Sequence, residues 1–182
     1  MAYHIIAAAA RTVSAWAGGT TEQLFIWPPE AEYPRRDFAL RVSTATVALA
    51  ESDFTALPGF TRWIMPLSGA MSLTHAGHGG AALGPMDVHR FEGGWKTHSA
   101  GQCIDFNLML AAGWGGAISA KAGVYRCEVG GFVGVYAFGG PAEVVVEGAR
   151  VRLENRDVLV LHGPGTTVIE ATPVAVFAAW PL

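Results

Sequence analysis

Two cysteines, few charges and no long apolar run are what this 182-residue chain has least of, and each scarcity removes a class of protein. Cys103 and Cys127 form no CxxC and have no partner at a disulfide-framework or zinc-ligand spacing. Both read as small buried hydrophobes. Charged residues make up only 15% of the chain, with 12 Lys and Arg against 15 Asp and Glu. Such a chain lacks the basic stripe that binding to a phosphate backbone demands, so nucleic acid is not an expected partner. No stretch of 18 apolar residues runs without a glycine or a charge, which argues against a membrane span. The apolar opening from Met1 to Ala10 has no basic residue ahead of it, so the charged start of a secretory signal is missing. The cytoplasm is the expected compartment. Histidines are also sparse: His75 and His78 are three apart in a glycine-rich stretch, and His4, His89, His98 and His162 stand alone.

What the chain does have is apolar content of 51%, 23 glycines and 10 prolines, the last two spread at short intervals. Frequent turns between short strands follow from that spacing, and nothing requires a helix longer than two or three turns. Period-two alternation recurs along Asp37–Val47, placing Arg41, Ser43 and Ala45 on one face and Leu40, Val42 and Thr44 on the other. A turn at Leu57-Pro58-Gly59 leads into a strand or hairpin over Phe60–Leu73, interrupted near Pro66 and Ser68-Gly69. A glycine-rich loop with His75 and His78 is expected over 74–84. Short strands are expected near 88–91 and 103–110. Residues 111–116 read as a connector. Four further runs, at 131–138, 142–146, 158–162 and 174–179, are apolar or β-branched and bounded by turns. Evenly spaced short strands predict an all-β sandwich, jelly roll or barrel.

The most informative stretch is Asp105-Phe106-Asn107-Leu108-Met109. As a strand it sets Asp105, Asn107 and Met109 on one face and Phe106 and Leu108 on the other. On a solvated face the carboxylate and carboxamide carry no message. On the inner face of a closed sheet they form a polar reading site in an apolar cavity.

Four pieces of sequence occur together: Phe38-x-x-Arg41-x-Ser43, Phe54-x-x-Leu57-Pro58-Gly59-x-x-Arg62, Leu67-x-Gly69 and Gly101-x-x-x-Asp105-Phe106-Asn107-x-Met109. In order and rough spacing across 37–109 they resemble the HutD/Ves family of bicupin proteins. That resemblance implies a double jelly roll, two small β-barrels in one chain. The first barrel would span 1–111 and carry the motif residues, and the second would span 112–182. Phe106 and Leu108 would then pack outward against the second barrel. Family members near histidine-utilisation operons have been linked to that pathway, and no settled catalytic activity belongs to the family. The chain departs from the family's usual opening: either the segment between Trp16 and Thr21 is about two residues shorter or Trp16 itself stands where an asparagine would, so the asparagine amide is missing, and Gln23 stands where an acid is common.

The candidate ligand-binding residues are Arg41, Ser43, Arg62, Asp105 and Asn107, joined by Trp16, Gly19 and Thr21 if the amino-terminal segment forms a pocket wall. Arg41 and Arg62 suit a ligand carboxylate, since a guanidinium presents a planar fork of donors. An internal ion pair between Arg41 and Asp105 is the competing role. Gly18-Gly19-Thr20-Thr21 offers either an anion-holding set of backbone N–H groups or a plain turn. No His-x-His pair occurs, and a spacing of three sends His75 and His78 to opposite faces of a strand. Solvated loop histidines and a metal-free pocket, with no cofactor, are therefore expected. A catalytic set is equally hard to assemble. Asp105 is the one candidate base, and a nearby arginine would hold its pKa down. Cys103 lies on the same strand face, beside an acid that discourages its thiolate. The favoured expectation is a non-catalytic binding protein for a small polar metabolite bearing a carboxylate and an amide, such as an N-acylated amino acid of histidine breakdown. The rival is a metal-independent hydrolase or isomerase with Asp105 as base. A homodimer through an apolar second barrel is a third reading.

Overall fold

A computed structural model describes residues 2–170 and 174–182, so Met1 of the apolar opening lies outside the described residues. Nineteen strands and two single-turn 3-10 helices account for the regular structure of the described residues, which makes the chain all-β. It divides into two compact units, one of residues 12–112 and one of residues 1–11 with 113–182.

The first of these holds β2 (Val13–Trp16), β3 (Gly19–Trp27), β4 (Leu40–Val47), β5 (Glu51–Asp53), β6 (Phe60–Gly69), β7 (Met71–His75), β8 (Gly79–Leu83), β9 (His89–Glu92), β10 (Thr97–Ala100) and β11 (Cys103–Ala111). They form a six-stranded sheet in the order β2-β3-β4-β11-β6-β9 and a four-stranded sheet in the order β5-β10-β7-β8. β11 sits near the middle because both its edges are paired, with β4 on one side and β6 on the other. A strand paired on both edges has every backbone group satisfied, so burying both of its faces costs little. Phe106, Leu108 and Leu110 are indeed 0% exposed on one face, and Asp105, Asn107 and Met109 are buried on the other. The register slips opposite Pro66, between Ile104 and Asp105, where a proline lacks the N–H that a regular ladder needs. Two apolar clusters fill this unit. Val47, Ile64, Met71, Leu73, Leu83, Phe91 and Cys103 form one, and Ala31, Phe38, Leu57, Phe60 and Met109 form the other.

The glycine-rich stretch over 74–84, expected as a loop, is a hairpin: β7 and β8 pair from Met71↔Leu83 to His75↔Gly79. Glycines hide the strand because they show no side-chain alternation, yet one of them is required. A Cβ on Gly80 would lie 2.2 Å from the Leu73 carbonyl oxygen. β7 itself alternates cleanly, with Met71, Leu73 and His75 buried and Ser72 and Thr74 exposed.

The second unit holds β1 (Ala2–Ile6), β12 (Trp114–Ser119), β13 (Gly123–Cys127), β14 (Phe132–Ala137), β15 (Ala142–Val146), β16 (Ala149–Leu153), β17 (Val158–His162), β18 (Gly165–Ile169) and β19 (Val174–Pro181). Its sheets run β1-β17-β14-β19-β12 and β13-β18-β15-β16. Residues 1–11, expected within a first barrel over 1–111, belong instead to this unit, because β1 pairs antiparallel with β17 from Ala2↔His162 to Ile6↔Val158. An amino-terminal strand can complete a distant sheet edge, and local periodicity carries no information about that pairing. The connector expected over 111–116 shrinks to a turn at Ala112-Gly113, and Trp114 already opens β12. Val133, Val135, Val144, Leu153, Leu159, Leu161, Ile169 and Val176 pack into one continuous apolar core.

Candidate functional site

The inner face of the six-stranded sheet in residues 12–112 opens into a cavity of about 530 Å³. Its floor follows from strand register. Asp105 lies beside Ala45, Asn107 lies between Ser43 and Ile64, and Met109 lies between Arg41 and Arg62. Each of those positions is two residues from the next along its own strand, so β4, β6 and β11 present Arg41, Ser43, Arg62, Asp105 and Asn107 to one space. β3 adds Thr21 and Gln23 through its pairing with Ala45 and Ser43. Trp16 on the edge strand β2 forms part of the rim, 40% exposed.

Arg62 is a buried cation, 6% exposed. Its Nη2 donates to Asn107 Oδ1 at 3.2 Å, and its guanidinium lies 4.8 Å from the centre of the Phe54 ring and 5.1 Å from that of Phe91. Its Nε is buried and has no hydrogen-bond partner, which leaves a desolvated donor with capacity to spare. Asn107 turns its amide so that Nδ2 donates to Asp105 Oδ1, and the three side chains form a chain from guanidinium through carboxamide to carboxylate. Arg41 is held separately. Its Nε donates to Gln23 Oε1 at 3.1 Å and its Nη1 to Ser43 Oγ at 3.3 Å, while its guanidinium stacks 4.2 Å from the Tyr33 ring centre. The ion pair of Arg41 with Asp105, a competing expectation, does not form among the described residues.

Burial sets the electrostatics here. Asp105 is 2% exposed, and loss of hydration pushes its carboxyl up to about 7, against the opposing pull of the Arg62 charge and the Asn107 hydrogen bond. A neighbouring arginine is expected to keep this pKa low; desolvation outweighs that pull, and Arg62 donates to Asn107 rather than to the carboxylate. Burial also lowers both guanidinium pKa values, that of Arg62 to about 10. With Asp105 ionised the buried trio of Arg41, Arg62 and Asp105 carries a net single positive charge. With Asp105 protonated it carries two.

Of the eight residues expected at a site, seven line this cavity, and Gly19 does not. Gly19 serves a close backbone approach, since a Cβ there would fall 1.8 Å from the Thr46 carbonyl oxygen. The anion-holding backbone considered for residues 18–21 is instead the turn and first residues of a hairpin, with Trp16↔Gly19 and Ser14↔Thr21 paired. Cys103 faces the apolar cluster rather than the cavity, and burial raises its thiol to about 12. Sequence reasoning missed Tyr33 and Phe54, which lie outside clear alternation. The signal available was that an aromatic ring buried beside an arginine is a recurrent way to seat a guanidinium.

His75, expected as a solvated loop residue, is 2% exposed on β7 and meets His89 across the two sheets. Among the described residues no group of three or more His, Cys, Asp or Glu is arranged to hold a metal ion. No helix of the described residues is long and apolar enough to cross a membrane.

A family model described as HutD matches residues 8–178. A comparison with curated proteins finds no match. Among solved structures, a conserved protein of unknown function from Pseudomonas aeruginosa PAO1 is 21% identical with a TM-score of 0.79, covering 98% of each chain. HutD from Pseudomonas fluorescens SBW25 is 22% identical with a TM-score of 0.76 over 100% of each chain. The Escherichia coli pirin YhhW, solved in complex with nickel(II), is 9% identical with a TM-score of 0.66 over 99% of each chain. At these identities the likeness is one of fold.

Proposed function

The chain belongs to the HutD family, and from that premise we propose that residues 12–112 bind a small polar metabolite carrying a carboxylate and an amide, without transforming it. The observation that carries this reading is the cavity holding a buried arginine with an unpartnered Nε beside an Asn–Asp pair. A desolvated guanidinium donor gains most from an incoming carboxylate, because the charge-assisted bond replaces no competing protein partner. The Asn107 and Asp105 groups supply both a donor and an acceptor for an amide, and Trp16, Tyr33 and Phe54 supply apolar wall. An N-acylated amino acid of histidine breakdown has this chemistry, and the role is sensing or buffering it in the cytoplasm. The chain as a whole is then a double jelly roll of the bicupin type, with the ligand held in one barrel.

A second reading is favoured by one observation: a carboxyl titrating at about 7 is poised for general acid–base work. In that reading Asp105 is the base of a metal-independent hydrolase or isomerase acting on a similar compound. The two readings separate on one experiment. A panel of N-formyl and N-acetyl amino acids is screened by thermal shift, and the best stabiliser is incubated with the protein and followed by NMR. Binding with no chemical change over a day supports the binding protein. Turnover that Asp105→Asn abolishes supports the enzyme, and a panel with no stabilising member contradicts both.

A further inference from the structure

Away from the cavity, His75 of β7, an inner strand of the four-stranded sheet, meets His89 of β9, an edge strand of the six-stranded sheet of residues 12–112. Their Nε2 atoms are 3.0 Å apart, and their rings are tilted by only 19° with centroids 5.2 Å apart, so the two imidazoles point at one another nearly in plane. The protons on this pair can be placed from its neighbours. The Thr97 hydroxyl donates to the Trp95 carbonyl at 3.2 Å, and its oxygen lies 2.8 Å from His75 Nδ1. With the one hydroxyl proton on the Trp95 carbonyl, His75 Nδ1–H is the donor to Thr97 and His75 Nε2 is bare. His89 Nε2–H therefore donates to His75 Nε2. A directed chain runs from His89 through His75 and Thr97 to the Trp95 carbonyl.

We propose that His75 and His89 form an acid-sensitive joint between the two sheets of this unit, holding β9 in place while each imidazole keeps its assigned proton. Among the described residues β9 is an edge strand paired with β6 alone, and the joint adds to the packing of Phe91 in tying it to the other sheet. β9 also carries Phe91, whose ring backs Arg62 on one side and packs 4.8 Å from His75 on the other. Loosening β9 thus withdraws one of the two rings that seat Arg62. The groups facing the joint all resist its protonation. Arg62 from β6, His78 from the turn after β7 and the partner imidazole each lower the pKa of His75, after the larger effect of burial. Burial lowers that of His89 too. Thr97 from β10 and the Phe91 and Trp95 rings bring no charge. The first added proton enters at His89 Nδ1 and leaves the bond intact. A second sets N–H against N–H and breaks it.

The sign follows. Both folded pKa values lie below the unfolded value of 6.5, so the joint's contribution is complete above pH 6.5 and is lost as the pH falls below it. This inference does not depend on what the cavity binds.

The direct test is nitrogen-15 NMR of the imidazoles of the wild-type protein at pH 7.5, followed by titration to pH 4.5. The expected spectrum shows His75 protonated at Nδ1 only and His89 donating from Nε2, with the Arg62 Nε–H resonance moving as the pair titrates. His89→Phe is expected to be less stable than wild type by at least about 3 °C at pH 7.5 and to lose that deficit by pH 4.5. A protonated His75 Nε2 at pH 7.5, or an Arg62 resonance that ignores the titration, overturns the proposal. So does a deficit of His89→Phe that is the same at both pH values.

Discussion

The two units solve one packing problem with opposite side chains. In the unit containing residues 113–182, the inward positions of β14, β17 and β19 are Val133, Val135, Ala137, Leu159, Leu161 and Val176, and they close into a continuous apolar core. In residues 12–112, the inward positions of β4, β6 and β11 include Arg41, Ser43, Arg62, Asp105 and Asn107, and beside the apolar clusters around Ile64 and Met109 part of the interior stays open as a cavity. Both central strands are paired on both edges, so the backbone does not distinguish the units. Side chains do. A valine face maximises burial, whereas a face of two arginines and an aspartate accepts desolvation costs that an apolar core avoids. A protein gains nothing in stability from such a face, and the Arg62 Nε is left buried without a hydrogen-bond partner.

The sharpest way to break the comparison is to put the polar chemistry into the wrong unit. Val135→Asp places an unpaired carboxylate where no exposed surface remains and should cost about 4 kcal/mol or more, read as loss of a cooperative melt by calorimetry. Next in size is Arg62→Ala, which removes the donor that the cavity leaves free. Affinity for the best metabolite found in the screen should fall by roughly 30-fold to 1,000-fold, through faster dissociation rather than slower association, as measured by titration calorimetry and stopped flow.

Asp105→Asn tests the electrostatics. The folded pKa of Asp105 lies above its unfolded value of 3.8, so the folded state binds the proton more tightly and wild-type stability falls as pH rises from about 4 to about 7. The substitution removes that slope and raises the Tm at pH 8. The His75–His89 pair has the opposite sign, so the wild-type profile is the sum of two opposing slopes and the variant should expose the histidine one. Asn107→Val breaks the link between Arg62 and Asp105 and leaves both buried groups short of a partner, so it should cost about 3 kcal/mol by urea titration.

Much of the cavity was legible because strands expose their faces in the sequence. Arg41 with Ser43, and Asp105 with Asn107, share faces by alternation alone, and the β4–β11 register then sets Asn107 against Ser43. The aromatic seats of the arginines were not legible, since Tyr33 lies in a 3-10 turn and Phe54 follows a three-residue strand, and neither shows a period. His75 was misread as a loop residue because the glycines of β8 conceal its partner strand. The place of β1 beside β17 depends on a pairing across more than 150 residues, which no local pattern encodes. The sign of the Asp105 shift needed burial, and burial is a property of the folded sheet.

The central claim is that the open unit exists to hold a polar, carboxylate-bearing metabolite on Arg62. The most direct measurement is a thermal-shift screen of N-acyl amino acids run in parallel on wild type and Arg62→Ala. The account predicts at least one compound that raises the wild-type Tm with dose and leaves the variant unmoved. A compound that stabilises both equally, or a panel that stabilises neither, contradicts it.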